Sequence, residues 1–288
     1  GLIVGFFLLV IVLIPGIGVE RGGARSWLGI ASFGIQPSEF MKMVMIVFMA
    51  KVLSEPESRI TSFYKGLLPM LLILGLAFGL IMLQPDLGTG AVLLGATLML
   101  IYTAGARISH LAWLGVVGLA GFAGLIIAAP YRLLRITAFL DPWQDPLGAG
   151  YQIIQSLYAI GPGGLVGLGL GMSRQKYNYL PEPQTDFIFS IIAEELGFIG
   201  AATVLLLFLL LIWRGMRTAI TAPDSFGSLL ATGIVGIIAV QVIINIAVVT
   251  GMMPVTGITL PLISAGGSSL TLMLTAIGIL LNISRYAR

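Results

Sequence analysis

Four of the chain's twelve acidic side chains lie within residues 177–197, in otherwise apolar surroundings. They are Glu182, Asp186, Glu194 and Glu195. An ionisable group at the edge of hydrocarbon is costly, so a cluster of them marks a candidate functional site. Asp186 stands where a proline-containing polar loop gives way to an apolar segment, a place from which a carboxylate can accept a proton. Alternatively, Asp186 caps the helix that follows, although Thr185 suits that role equally well.

Glu194 and Glu195 follow Asp186 within the predicted helix. Glu194 is eight residues further on, about two turns, and so lies on roughly the same face as Asp186. Glu195 points about 100° away from that face. An unpaired carboxylate two turns into a membrane helix costs considerable free energy. We therefore expect one of the two glutamates to pair with a cation from another helix.

Four cations are candidates for binding an anionic group. Arg174 and Lys176 precede Asp186 by about ten residues and can hold an anion through charge-assisted hydrogen bonds. The alternative is that they only anchor the loop at the membrane surface. Arg21 and Arg25 leave the same two alternatives open, as interfacial anchors or as phosphate ligands.

Several other polar residues are typical of helix starts or of buried pairs. Asp86 precedes an apolar segment as a natural N-cap, and Ser38 is expected to cap a helix whose first turn carries Glu39. Glu39 and Lys42 are three residues apart and can pair on one helix face. Lys42 can instead extend its ammonium towards the membrane surface.

The glycine-rich segment 161–171 superficially resembles a dinucleotide-binding loop. That assignment needs a preceding strand and a following helix, and the sequence predicts neither. We expect these glycines instead to let the loop fold back tightly against the membrane domain.

Composition identifies an integral membrane protein. Hydrophobic residues make up 58% and charged residues 9% of the chain, whereas a soluble domain carries about 25% charged residues. The long apolar runs predict an all-α polytopic bundle, whose spans are helices and not barrel strands. A net charge of +3 gives no reason to expect nucleic acid as a partner. With no Cys and a single His, no cofactor is predicted with certainty, and a metal would have to be a hard ion on oxygen ligands, Mg²⁺ or Mn²⁺.

About twenty helical residues cross a hydrocarbon core, and the apolar runs predict eight such spans. The predicted spans are residues 1–18, 38–53, 66–84, 87–104, 109–129, 187–213, 226–250 and 266–284. Residues 130–186 form one long loop. The sequence begins inside an apolar run without a methionine, which we interpret as a fragment lacking its N-terminus.

The distribution of basic residues predicts the orientation. One set of loops carries Lys51, Arg59, Lys65, Arg107, Arg214, Arg217, Arg285 and Arg288. The short loops of the other set carry only Arg21 and Arg25, while Arg132 and Arg135, with Arg174 and Lys176, lie in the long loop. By the positive-inside rule the C-terminus is cytoplasmic and the 130–186 loop is external.

Short polar blocks lie along the whole chain in a fixed order. Those of the loop are Tyr179-Leu-Pro-Glu182, Thr185-Asp186-Phe187-Ile-Phe189 and Glu194-Glu195-Leu-Gly197. The others are Arg21-Gly-Gly-Ala-Arg-Ser-Trp27, Gln36-Pro-Ser-Glu39, Gln84-Pro-Asp86-Leu-Gly-Thr89, Asn245, Gly257-Ile-Thr-Leu-Pro261 and Gly266-Gly-Ser-Ser269. These blocks resemble those of the SEDS family (shape, elongation, division and sporulation), whose members include FtsW, RodA and SpoVE. The family has ten spans, so residues 1–288 would be a single, N-terminally truncated SEDS membrane domain.

The resemblance implies a peptidoglycan glycosyltransferase of the bacterial cytoplasmic membrane that polymerises lipid II on the outer face. It also implies a class B penicillin-binding transpeptidase as partner, surrounding membrane lipid, and Asp186 as the essential acid. Gln184 stands where many division and elongation members have histidine. Gln184-Thr-Asp186, together with Asp141-Pro-Trp143-x-Asp145-Pro, is most similar to the sporulation branch. A carboxylate that takes a proton from the acceptor hydroxyl, and cations that neutralise pyrophosphate, would suit this reaction.

Further residues are predicted to belong to the site. Substrate contacts are expected from Arg174, Lys176, Arg21, Arg25, Glu182, Gln184, Thr185 and Asp86. Structural support is expected from Glu39, Lys42, Glu194, Glu195, Asn245, Ser268 and Ser269. The alternative function is a transporter that flips lipid II, which polar helix ends and intramembrane carboxylates would also suit. A purely structural scaffold would leave Asp186 unexplained.

Overall fold

The computed structural model describes residues 1–21, 24–30, 33–56, 60–127, 139–177 and 179–287. Some of the predictions fall outside these residues. They concern Arg59, Arg132, Arg135, Arg288, the side chain of Arg21, the end of the 109–129 span, and residues 130–138 and 178 of the long loop.

The described chain is mostly helical. Its α-helices are α1 (Leu2–Ile11), α2 (Pro37–Ser54), α3 (Leu68–Met82), α4 (Leu87–Thr103), α5 (Ile108–Ile127), α6 (Tyr151–Ile160), α7 (Ile188–Thr221), α8 (Ser225–Val249) and α9 (Gly267–Tyr286). A π-helical turn, Phe63–Leu67, leads into α3, and short 3-10 turns occupy Pro142–Gln144 and Gly161–Gly163. Each of the eight predicted spans overlaps one of these helices, the first only over residues 2–11, and α6 is an additional helix within the long loop.

Four helical segments of the described chain are long and apolar enough to cross a membrane. They are Phe63–Met82, Ile188–Thr221, Ser225–Val249 and Gly267–Tyr286. The first predicted span, 1–18, is shorter than expected, because α1 ends at Ile11 and a strand starts at Gly18. Pro15, which has no backbone N–H to donate, and Gly16, at φ +91°, lie between the two. The prediction of a helical membrane protein is confirmed.

A small antiparallel sheet, which the all-α prediction did not include, follows α1. Its strands are β1 (Gly18–Arg21), β2 (Ala24–Ile30) and β3 (Phe33–Ile35), in the order β1-β2-β3. Glu20 lies opposite Arg25 in the first pair. Strands of three to seven residues are too short for a period-two pattern to stand out from the surrounding apolar sequence.

The described residues form two compact units. The first comprises residues 1–112, 211–240 and 266–288, and the second comprises residues 113–210 and 241–265. In the first unit Gly233 of α8 lies so close to α2 and α4 that a Cβ would be 2.3 Å from Ile46 and 2.8 Å from Leu100. Small residues permit such close helix contacts in membranes. A single domain over residues 1–288 remains a prediction.

The second unit contains Asp186. Its interior includes a buried polar contact in which the Ser156 hydroxyl of α6 lies 2.7 Å from the Ser190 hydroxyl of α7. Ser156 also donates to the backbone carbonyl of Val249 at 2.6 Å. These hydrogen bonds join α6, the start of α7 and the end of α8, the elements that surround the turn bearing Asp186.

Candidate active site

A tight turn immediately before α7 presents the Asp186 carboxylate. The carbonyl of Glu182 accepts from the backbone N–H groups of Thr185 and Phe187, at 3.3 and 3.4 Å. The Thr185 hydroxyl donates to the Glu182 carboxylate at 2.9 Å, so it closes the turn and does not cap α7. Asp186 is half-buried, whereas the next residue, Phe187, is 1% exposed and fixes the turn to the core.

Three successive carbonyls of this turn accept hydrogen bonds from residues 245–265, a segment made of the end of α8 and the loop that follows it. Gln184 accepts from the Ala265 N–H at 2.8 Å, Thr185 from the Ser264 hydroxyl at 2.5 Å, and Asp186 from the Asn245 amide at 2.8 Å. Because each carbonyl is held separately, the backbone that carries the Asp186 side chain cannot rotate without breaking several of these bonds. The expected supporting role of Asn245 has this geometry, whereas the contribution of Ser264 was not predicted.

The segment that holds the turn also approaches the Asp186 carboxylate. Asn245 donates a second hydrogen bond, at 2.7 Å, to the carbonyl of Ile258. Gly257, just before it, has φ +72°, and a Cβ at that position would lie 3.5 Å from an Asp186 carboxylate oxygen. Glycine therefore meets a backbone requirement here and leaves space beside the carboxylate.

Glu194 and Glu195 hold the preceding loop, residues 171–176, against α7. Glu194 is 1% exposed, and it accepts from the Ser173 hydroxyl at 2.5 Å and from the backbone N–H groups of Arg174 and Gln175 at 2.9 and 3.4 Å. Glu195 accepts from the backbone N–H groups of Gly171 and Ser173 at 2.9 and 3.2 Å. The two glutamates thus fix the loop that carries Arg174 to the helix that follows Asp186.

The cation paired with Glu195 is Lys176, from this loop and not from another helix as we expected. The Lys176 ammonium lies 2.9 Å from the Glu195 carboxylate and 2.6 Å from the carbonyl of Gly171. The hydrogen bond to Glu195 raises the pKa of Lys176 above its ordinary value. Arg174 is exposed, and among the described residues no carboxylate forms an ion pair with it. Arg174 is therefore the loop cation that is available to an anion.

The first unit contains the remaining predicted residues. Asp86 caps α4 as predicted, accepting from the Thr89 N–H at 3.0 Å, and it also accepts from the Gln36 amide at 2.9 Å and the Ser38 hydroxyl at 3.3 Å. The prediction that Ser38 caps α2 is wrong, because its hydroxyl is directed to Asp86 and Gln36 takes the N-cap position.

The predicted Glu39–Lys42 pair is present on α2. Its nitrogen–oxygen distance is 2.6 Å and both side chains are buried, so Lys42 does not extend to the membrane surface. Arg25 faces Glu20 across the sheet at 4.0 Å. Ser268 and Ser269 lie in the first turn of α9, where the Ser268 hydroxyl is buried.

Within the parts of the chain that the structure describes, no three His, Cys, Asp or Glu side chains come together in a way that could hold a metal ion.

Comparison with known proteins identifies the family of the chain. Residues 1–288 match the sequence model of the family described as "Cell cycle protein", which covers FtsW, RodA and SpoVE. The chain is 63% identical to Stage V sporulation protein E of Bacillus subtilis (strain 168), over all of this chain and 78% of that protein. It is 45% identical to a probable peptidoglycan glycosyltransferase FtsW of Geobacter sp. (strain M18), over 98% of this chain and 77% of that protein.

Two solved structures are similar over nearly the whole chain. One, described as "Structural coordination of polymerization and crosslinking by a peptidoglycan synthase complex", superposes with a TM-score of 0.76 at 35% identity, over 99% of this chain and 79% of that one. The other is the rod shape determining protein RodA of Thermus thermophilus, with a TM-score of 0.69 at 32% identity, over 98% of this chain and 75% of that one.

Proposed function

Because the chain belongs to the FtsW/RodA/SpoVE family of cell cycle proteins, we propose that it is a peptidoglycan glycosyltransferase whose catalytic base is Asp186. Relatives over 40% identical across nearly its whole length carry the name peptidoglycan glycosyltransferase. The observation that carries the residue assignment is the turn at 182–187. It holds a half-buried carboxylate at the start of a membrane helix, with its backbone fixed through three carbonyls.

The proposed reaction joins two lipid-linked saccharides, with lipid II as substrate. The acceptor hydroxyl oxygen forms a bond to the anomeric carbon of the donor while the bond from that carbon to the polyprenyl pyrophosphate breaks. The configuration at the anomeric carbon is inverted. The proton released by the hydroxyl passes to Asp186, and the pyrophosphate departs with the electron pair of the broken bond. A carboxylate within hydrogen-bond reach of the hydroxyl is suited to this transfer.

Arg174 is the residue we assign to the pyrophosphate. Its guanidinium offers several donors in a fixed plane, which suits phosphate oxygens. Glu194 holds the Arg174 backbone N–H and so fixes the base of this side chain relative to α7. Lys176 serves the site indirectly, because its ammonium is already bound to Glu195 and to the Gly171 carbonyl.

Arg174→Ala is expected to lower kcat/KM for lipid II by about tenfold or more, because a hydrogen bond to a charged group contributes about 1.5–3 kcal/mol. Its melting temperature should match that of the wild type, since the side chain is exposed. Lys176→Ala should lower both kcat/KM and the melting temperature, because it leaves Glu195 without its cation. Arg174→Lys serves as a charge-conserving control and should retain part of the activity. Wild-type turnover by the Arg174/Lys176 double alanine variant would remove both residues from the site.

We further place the protein in the bacterial cytoplasmic membrane with the 182–187 turn on the outer face. Two arguments support this orientation. The basic residues of the short loops lie mostly on the side opposite the 130–186 loop, and the glycan polymer is needed outside the membrane. A penicillin-binding transpeptidase is the proposed partner, since a similar solved structure is described as a peptidoglycan synthase complex that coordinates polymerization and crosslinking.

Labelling of single cysteines tests the orientation on a clean background, because the chain has no native cysteine. Gln144→Cys, exposed in the long loop, should react with a membrane-impermeant thiol reagent added to intact cells. Thr221→Cys, at the far end of α7, should react only after permeabilisation. Equal labelling of both sites from outside would contradict the orientation.

A further inference from the structure

The glycine-rich segment 163–172 contacts α7 where that helix is interrupted. Gly197 has φ 65° and ψ −164°, which breaks the helical path inside α7. The backbone groups on either side of it then pair with the segment. Leu168 and Gly169 donate to the carbonyls of Glu194 and Glu195 at 2.9 and 3.0 Å, and Phe198 and Ile199 donate to those of Gly164 and Leu165 at 2.8 and 3.1 Å.

This contact is between backbones, and it requires glycine at several positions. A Cβ at Gly163 would lie 2.0 Å from the Ala193 carbonyl oxygen, and one at Gly167 would lie 2.1 Å from that of Glu195. A Cβ at Gly197 would lie 2.4 Å from the Gly167 nitrogen. These glycines therefore let the loop fold back against α7, as expected, because a side chain at any of the three positions would collide with the opposite backbone.

The side chains between these glycines are apolar and directed outwards. They are Leu165, Val166, Leu168, Leu170 and Met172, between 40% and 79% exposed. Phe198 and Ile199 of α7, 66% and 59% exposed, continue the same apolar surface. The sequence has no charged residue from 161 to 173, and the next cations are Arg174 and Lys176. Such a surface would be unfavourable in water.

The length of α7 places this surface at a membrane boundary. After the interruption at Gly197, the unbroken part of the helix runs over residues 198–221, 24 residues or about 36 Å at 1.5 Å per residue, whereas the hydrocarbon core is about 30 Å thick. Arg214 and Arg217 lie near the far end of this unbroken part, and its first residue, Phe198, lies sixteen residues or about 24 Å before Arg214. The segment pairs with residues 194–199 and so meets α7 where the helix enters the opposite leaflet.

From these observations we infer that residues 165–172 form a re-entrant tip whose apolar side chains lie among the acyl chains of the leaflet beside the Asp186 turn. Irregular backbone can enter a bilayer only if its polar groups find partners in the protein, and the pairing with α7 supplies several of them. Because these side chains are exposed, the surface fits the acyl chains of the bilayer. The tip keeps the following cations, Arg174 and Lys176, at the level of the lipid head groups. This inference does not depend on the proposed reaction.

Spin labels on single cysteines in lipid nanodiscs test the inference without any assay of activity. Leu165→Cys and Leu170→Cys replace exposed side chains, so the fold should persist. A nitroxide at either site should be relaxed more strongly by oxygen, which partitions into lipid, than by a water-soluble nickel chelate. A nitroxide at Gln144→Cys, in the same long loop but between Asp141 and Asp145, is the control and should show the reverse preference.

Two results would overturn the inference. One is a preference for the nickel chelate at both Leu165→Cys and Leu170→Cys, as at Gln144→Cys, which would place the tip in water. The other is an oxygen preference that appears only after lipid II is added, which would make the surface a site for the substrate's polyprenyl chain.

Discussion

Asp186→Asn should reduce glycan polymerisation by about 10²-fold or more, which is the scale expected for removing a general base. The amide is nearly isosteric with the carboxylate, but it cannot accept the acceptor's proton at neutral pH. The carbonyl of residue 186 still accepts from Asn245, and those of Gln184 and Thr185 still accept from Ala265 and Ser264, so the turn is preserved. Expression, melting temperature and binding of the transpeptidase partner should therefore match the wild type.

A structural role for Asp186 would give a different pattern. Asn caps helices about as well as Asp, so a carboxylate that only capped α7 could be replaced with little effect on either stability or activity. Loss of polymerisation together with a lowered melting temperature would show that the substitution damages the turn, and would leave the base unassigned.

Asn245→Ala should also have a large effect, because one amide group holds two carbonyls of the site. The substitution leaves the carbonyls of Asp186 and Ile258 without this donor, at a cost of about 1–3 kcal/mol for each buried group. We expect a lower melting temperature and a fall in kcat of about tenfold or more, because the Asp186 carboxylate is no longer held in one position.

Gln241→Ala is the matched control for this prediction. Gln241 lies one turn earlier on α8 and donates at 2.9 Å to the carbonyl of Thr259, in the same segment, but that hydrogen bond does not involve the Asp186 turn. Its substitution should lower stability and leave kcat near the wild-type value. An equal loss of kcat in both variants would mean that Asn245 acts through stability alone.

The length of the apolar runs was sufficient to predict every α-helix given above except α6. Each of the eight predicted spans overlaps a helix because a run of about twenty apolar residues has few alternatives in a membrane. The interruption at Gly197 was not predicted, because glycine is also common in regular membrane helices. At this interruption α7 pairs through its backbone with residues about thirty positions earlier. A contact between residues so far apart in sequence cannot be predicted from the local sequence.

The sequence predicted which residues belong to the candidate site better than it predicted which partners they contact. The carboxylates and the loop cations were identified because a charged group near hydrocarbon costs free energy. The partner of Glu195 could not be identified in this way, because it depends on the path of the loop, which brings Lys176 to Glu195. Gly257 contributes through its positive φ angle, and Ser264 contributes through a hydrogen bond from its hydroxyl to the backbone carbonyl of Thr185. Neither requirement leaves a charge or a spacing that sequence reasoning can detect.

Synthesis of glycan strands from labelled lipid II tests the central claim most directly. The purified wild-type protein and its Asp186→Asn variant would each be reconstituted with the transpeptidase partner, and the products separated on a gel, with transbilayer movement of lipid II followed in the same vesicles. We predict a ladder of glycan strands from the wild type and almost none from the variant. Strands made by the variant at the wild-type rate would contradict the assignment of Asp186. Transbilayer movement of lipid II without any polymer from the wild type would instead indicate a flippase.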